Sequence, residues 1–222
     1  MKLVSVKDKF QLDAYHAPAK GARKGGVVVV QEIFGVTNHI RTMSDRFAEA
    51  GYEAIAPSMY DRLDPGFEIK TMPDQAAIQK GFGYVQKTPW DQVAGDVQAA
   101  IDQLKDKGPV FVTGFCWGGT TAWLAASRCT GLSGASCFYG GMIAQLLDEK
   151  PKCPVIMHFG EKDAGIPMPD VEAIRAKQPQ AEIFVYDGAQ HGFHCDERAS
   201  YDKASADVAW KRTMDFFAKH LK

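Results

Sequence analysis

A cysteine, an aspartate and a histidine stand where they could carry out acyl transfer. Cys116 is at the centre of Gly114-Phe115-Cys116-Trp117-Gly118-Gly119, after the apolar run Pro109-Val110-Phe111-Val112-Thr113 and before Thr120-Thr121-Ala122-Trp123-Leu124-Ala125-Ala126. That order reads as buried strand, sharp turn and helix, the outline of a nucleophile elbow in which glycines let strand and helix pass closely. Asp163 follows the apolar run 155–159, within Gly160-Glu161-Lys162-Asp163. His191 follows the run 182–186, within Gly188-Ala189-Gln190-His191-Gly192-Phe193. Singly, each has a plainer reading: a buried thiol in a tight turn, a solvated turn acid, an imidazole satisfying backbone groups. Jointly they supply a nucleophile, an acid and a base, in that chain order, at three strand ends.

A framework of alternating strands and helices is expected to hold them. Residues 3–7 and 10–15 predict an edge hairpin, and 18–26 a loop rich in Gly, Ala and Lys. Residues 27–31 form the first β-branched run, of the kind a strand covered on both faces needs. Ile40, Met43, Phe47 and Ala50 recur at helical spacing and predict a helix over 38–50, with Gly51 just past its end. Further strands are expected at 54–57, 110–113, 133–139, 155–159 and 182–186, with helices over 89–107, after Cys116, over 169–178 and over 200–219. Between 58 and 88 the pattern loosens around prolines and glycines, which predicts loops about a short helix at 74–84 that cover the site. The fold class is α/β, a single domain over 1–222 with a mostly parallel central sheet flanked by helices on both faces. In such a sheet the functional loops lie beyond the carboxyl ends of the strands.

The totals narrow the partners. The 222 residues are 45% hydrophobic and carry a formal net charge of -1, so neither nucleic acid nor an anionic membrane surface is an expected partner. A small molecule is, and a monomer is the expected state. No run reaches the roughly 18 apolar residues of a membrane span. The five cysteines form no C-x-x-C pair, and the N-terminus has no secretory pattern, which together point to a reducing, cytoplasmic setting. His191, His194 and Cys195 are all possible zinc ligands, but no further ligand cluster completes a site. The glycines at 114–119 lack dinucleotide-binding spacing, and no cofactor is expected.

Glu32-Ile33 adds a fourth component, because it lies beyond the first long strand. There one backbone N–H of an oxyanion hole is expected from Ile33, the other coming from Trp117 after the nucleophile. With Gln31-Glu32-Ile33-Phe34-Gly35, the cysteine elbow, Gly160-Glu161-Lys162-Asp163 and Gly188-Ala189-Gln190-His191-Gly192-Phe193 in this order, the chain resembles the dienelactone hydrolase family. That family is the cysteine branch of the α/β-hydrolase fold, and the resemblance runs from about residue 10 to the C-terminus.

The resemblance implies an enol lactone or similarly activated ester as substrate, opened through a Cys116-His191-Asp163 triad and a thioester. It implies that Glu32 keeps Cys116 a resting thiol until an anionic substrate enters. Phe34, Phe82, Tyr139 and Arg198 are the candidate substrate-binding residues. The family holds its substrate carboxylate with two arginines, and Ile78 and Cys195 stand at those positions here. Lys80 and Arg198 could substitute, or could be ordinary surface charges. A broad carboxylesterase or thioesterase, or a non-catalytic binding protein on the same scaffold, are the other readings of this chain.

Overall fold

The computed structural model describes residues 1–70 and 74–221. Eight strands form one sheet: β1 (Lys2–Val4), β2 (Gln11–Ala17), β3 (Gly25–Val30), β4 (Tyr52–Pro57), β5 (Val110–Phe115), β6 (Gly134–Phe138), β7 (Val155–Gly160) and β8 (Glu182–Tyr186). Their spatial order is β1-β2-β4-β3-β5-β6-β7-β8. All neighbours from β4 to β8 pair in parallel, and β2, antiparallel to both β1 and β4, is the one strand that runs against the rest. Helices α1 (Asn38–Glu49), α2 (Gln75–Lys87), α3 (Trp90–Leu104), α4 (Trp117–Arg128), α5 (Met168–Lys177) and α6 (Lys203–Lys219) connect and cover the strands.

Strand register shows why the central strands are apolar throughout. Gly26 pairs with Val110, and the next pair is Val27 with Phe111. Successive residues point to opposite faces of a strand. A Cβ at Gly26 would sit 2.8 Å from the Leu104 side chain of α3, whereas the Phe111 ring stacks on Phe217 of α6 at 4.2 Å. Both faces are therefore covered, and every residue of β3 and β5 is buried. α1 joins α6 on one face, Phe47 lying 5.8 Å from Phe217.

The expected elements are present with shifted ends. The first strand stops at Val4, because the Ser5 N–H donates to the Phe10 carbonyl and Lys9 takes a left-handed conformation, closing the hairpin early. β3 begins at Gly25 inside the expected loop, where bare glycines let the strand lie against Pro109 and Leu104. β6 ends before Tyr139, whose φ of 38° turns the chain out of the sheet. The cover helix is longer than expected: the Asp74 carboxylate caps α2 by accepting from the Ala77 N–H at 2.8 Å, and the helix continues to Lys87. α6 begins at Lys203 rather than near Ser200, because Asp202 caps it through the Ser205 N–H at 2.7 Å.

The tightest packing is at the start of α4. A Cβ on Gly114 would lie 2.0 Å from the Gly118 carbonyl oxygen, one on Gly118 2.3 Å from the Val30 oxygen, and one on Gly119 2.2 Å from the Phe138 oxygen. All three clashes are with backbone, which cannot move aside as a flexible side chain can. Gly119→Ala should therefore displace α4 from β6 and lower stability by about 1–3 kcal/mol or more. A fall in urea midpoint at unchanged slope would show it.

Candidate active site

Because β3 through β8 point the same way, the segments after β3, β5, β7 and β8 emerge at one edge of the sheet. Cys116 follows β5 directly, at φ 57° and ψ -119°, conformations that L-residues adopt only under constraint. Its N–H donates to the Phe138 carbonyl at 3.0 Å, and its own carbonyl accepts from the N–H groups of Gly119 and Thr120. The backbone is thus pinned on both sides of the strained residue, with the thiol left half-buried.

The chain after β8 returns across the strand ends and brings His191 to Asp163. Their Nδ1 and Oδ2 atoms are 2.7 Å apart, with the Asp163 side chain fully buried and about a third of His191 exposed (32%). Asp163 Oδ1 also accepts from the Gly165 N–H at 2.9 Å, which orients the carboxylate. Burial opposes a charge on His191, but the nearby Cys116 sulfur and the Asp163 carboxylate outweigh it and hold the imidazole up at about 10. Beneath the ring lies Tyr139, edge-on at 5.0 Å and fully buried.

Cys116, Asp163 and His191 share one cleft of about 570 Å³ with Ile33 and Trp117. The Trp117 N–H opens α4, so no carbonyl within the helix can receive it. The Ile33 N–H likewise donates to no protein acceptor among the described residues. Two free donors beside the thiol form a geometry suited to an oxyanion.

The residues expected to hold substrate divide between two places. Phe82 lies at the mouth of this cleft on α2 and is more than half exposed. Phe34 and Arg198 line a second cleft of about 330 Å³, together with Glu32, His39 and Cys195. Tyr139 lines neither cleft. The Arg198 Nη2 donates to Glu32 Oε2 at 2.9 Å, and its guanidinium lies 4.8 Å from the centre of the Phe34 ring. With 17% of its side chain exposed, Arg198 is no ordinary surface charge. Glu32 is 2% exposed, and its Oε1 has no partner among the described residues. Lys80 is a surface residue paired with Asp64 at 3.1 Å. His194 packs against Phe115 and Phe138, and burial drives its pKa well down.

Several cleft residues went unremarked in the sequence: Val85, Gln86, Met142 and Ile166. The first two had a signal, since Phe82, Val85 and Gln86 follow i, i+3, i+4 spacing and so share a helix face. Gly81 brings that face close, because a Cβ there would be 2.5 Å from the Ile33 carbonyl oxygen. Met142 and Ile166 sit in irregular segments, where no periodicity marks them.

A parallel sheet that brings a strained cysteine, then an aspartate, then a histidine to one edge is the architecture of the α/β-hydrolases, and this chain has that fold. The profile of the family described as "Dienelactone hydrolase family" matches residues 12–221. A protein from Synechocystis sp. named "Putative carboxymethylenebutenolidase" is 38% identical over 215 residues, covering 88% of this chain and 86% of its own. The carboxymethylenebutenolidase of Pseudomonas putida is 29% identical, covering 91% of this chain and 88% of its own. A crystal structure titled "Putative Dienelactone Hydrolase", from Klebsiella pneumoniae, superposes with a TM-score of 0.83 at 33% identity, covering 98% of this chain and 97% of that one. The chain belongs to the dienelactone hydrolase family and is a carboxylic ester hydrolase.

Two measurements check this geometry. In Cys116→Ala the His191 imidazole should titrate lower by more than about one pH unit, because burial then acts with less opposing charge; histidine NMR titration reads this directly. In the intact protein the raised imidazole stabilises the fold fully below its unfolded value near 6.5, and that contribution fades as pH rises through about 10. Arg198→Ala should cost about 3–5 kcal/mol in urea unfolding, because it strands the buried Glu32 carboxylate without a counter-charge.

Proposed function

We propose that the chain opens an enol lactone or a similarly activated ester through a thioester on Cys116. The observation that carries this is the half-buried thiol, on a backbone turn at φ 57°, sharing a cleft with the His191–Asp163 pair and two free N–H groups. His191 takes the thiol proton, and Asp163 holds the ring and stabilises the imidazolium. The sulfur attacks the substrate carbonyl carbon, while the Ile33 and Trp117 N–H groups donate to the oxygen as it gains charge. Each such donor is typically worth about 3 kcal/mol in the transition state.

As the tetrahedral intermediate collapses, the C–O bond breaks and His191 returns its proton to the departing oxygen. Water then enters, gives a proton to His191 and attacks the thioester carbonyl. The C–S bond breaks, the acid leaves and the thiol is restored. A thiolate is itself readily expelled from the intermediate, so the route favours substrates whose leaving oxygen is already stabilised, such as an enolate or phenolate. The names borne by the relatives support an enol lactone. A broader activated-ester or thioesterase role is the second reading, favoured by the apolar side chains that line the cleft.

Mixing the protein with p-nitrophenyl acetate should give a burst of about one equivalent of p-nitrophenolate. An acetyl adduct on Cys116 should appear in the intact mass and be lost on standing. Cys116→Ala should show neither and should lose at least about 10³-fold in kcat. Turnover persisting in that variant without an adduct would rule out the thioester route.

A further inference from the structure

The charges around the catalytic cleft decide what kind of substrate it accepts. Its apolar lining comes from Ile33, Phe82, Val85, Trp117, Met142 and Ile166. Among the described residues lining it, Lys162 is the one lysine or arginine, and it lies at the rim, mostly exposed and 3.2 Å from the Glu161 carboxylate. Three cations on the surrounding elements are engaged elsewhere. Lys80 pairs with Asp64 at 3.1 Å and lies over the rings of Phe67 and Tyr84. Arg41 holds Glu68 through two hydrogen bonds. Arg198 faces the other cleft, paired with Glu32 and packed on Phe34. His191, in the cleft of Cys116, is engaged by the Asp163 carboxylate at 2.7 Å.

We infer that the cleft selects uncharged esters or lactones whose substituents are apolar, and discriminates against substrates that carry a carboxylate on the acyl group entering the cleft. An ionised group entering this site would give up its hydration and meet no free counter-charge, a cost that reduces binding and turnover together. An alkyl or aryl group entering the same space would leave water for contact with Phe82, Val85, Met142 and Ile166. Phe82 is central to this selection. A phenylalanine 54% exposed at the mouth gains little from the protein's own folding, and a substrate's apolar group would cover it. This inference rests on Cys116 acting as the nucleophile and goes further, in naming a substrate class that departs from the carboxyl-bearing lactone in the relatives' names.

The test is a matched pair of esters, p-nitrophenyl hexanoate and mono-p-nitrophenyl adipate, which differ in a terminal methyl against a terminal carboxylate. Each kcat/KM is divided by the rate of hydrolysis in hydroxide, to remove differences in intrinsic reactivity. The hexanoate should be preferred by about tenfold or more. From acetate to butyrate, kcat/KM should rise by up to about fourfold per methylene. Phe82→Arg should narrow the preference for hexanoate over adipate by about tenfold at low salt, and added salt should restore part of it. Phe82→Leu should keep the preference.

Equal or faster turnover of the adipate by the unmodified protein would overturn the inference. So would a Phe82→Arg variant that folds, still forms the acyl adduct and leaves the ratio unchanged. In either case the adduct on Cys116 shows that the thioester route itself stands. No turnover and no adduct with either ester would remove the route and this inference together.

Discussion

The structure depends on how closely α4 is pressed onto the sheet. Gly118 approaches the Val30 carbonyl, and Gly119 the Phe138 carbonyl, at distances no residue with a Cβ could match. That closeness forces the chain between β5 and α4 to turn within Cys116 alone, and the strained φ of 57° follows. Strain at one residue persists only when the surroundings fix it more firmly than the residue resists. Here hydrogen bonds on both sides of Cys116 and two packed strands supply the constraint. The thiol emerges at the carboxyl edge of the sheet, with the first N–H of α4 beside it and without an intrahelical partner.

The same edge accounts for the division into two clefts. Ile33 faces the cleft of Cys116, while its neighbours Glu32 and Phe34 line the other. The segment after β3 is therefore a wall with different chemistry on its two sides. On one side it offers an apolar side chain, with its backbone N–H free to donate. On the other a buried carboxylate is matched by Arg198, whose guanidinium also covers an aromatic ring. A buried ion pair of this kind adds little to net stability, but removing one partner is expensive, which makes it a firm positional constraint on the turn. α2 closes against the same wall, because Gly81 lets the helix approach the Ile33 carbonyl. Phe82 and Val85 are thereby placed on the side of the Cys116 cleft.

Much of this arrangement is legible along the chain, for a definite reason. Continuous β-branched runs mark strands covered on both faces, and a parallel sheet sends all their carboxyl ends to one edge. Cys116, Asp163 and His191 could therefore be assigned to a common edge before any distance was known. Helix ends were harder, because caps such as Asp74 and Asp202 compete with nearby prolines and glycines as stop signals. The short hairpin before β3 ended early through a single left-handed lysine, which no propensity favours.

The sequence by itself determined the alternation of strands and helices, the chain order of cysteine, aspartate and histidine at the strand ends, and the glycine pattern that a strained turn requires. These are local properties, set by side-chain type, spacing and the direction of a parallel strand. Tertiary structure alone decided where the charges went. Arg198 and Glu32 are 166 residues apart in the chain and meet only because the segment after β8 folds back over the strand ends. Nothing in the spacing of either residue announces the other, because an ion pair depends on distance in space and on burial. That one long-range contact engages the Arg198 guanidinium with Glu32 at the second cleft, while the cleft of Cys116 is lined mainly by apolar side chains.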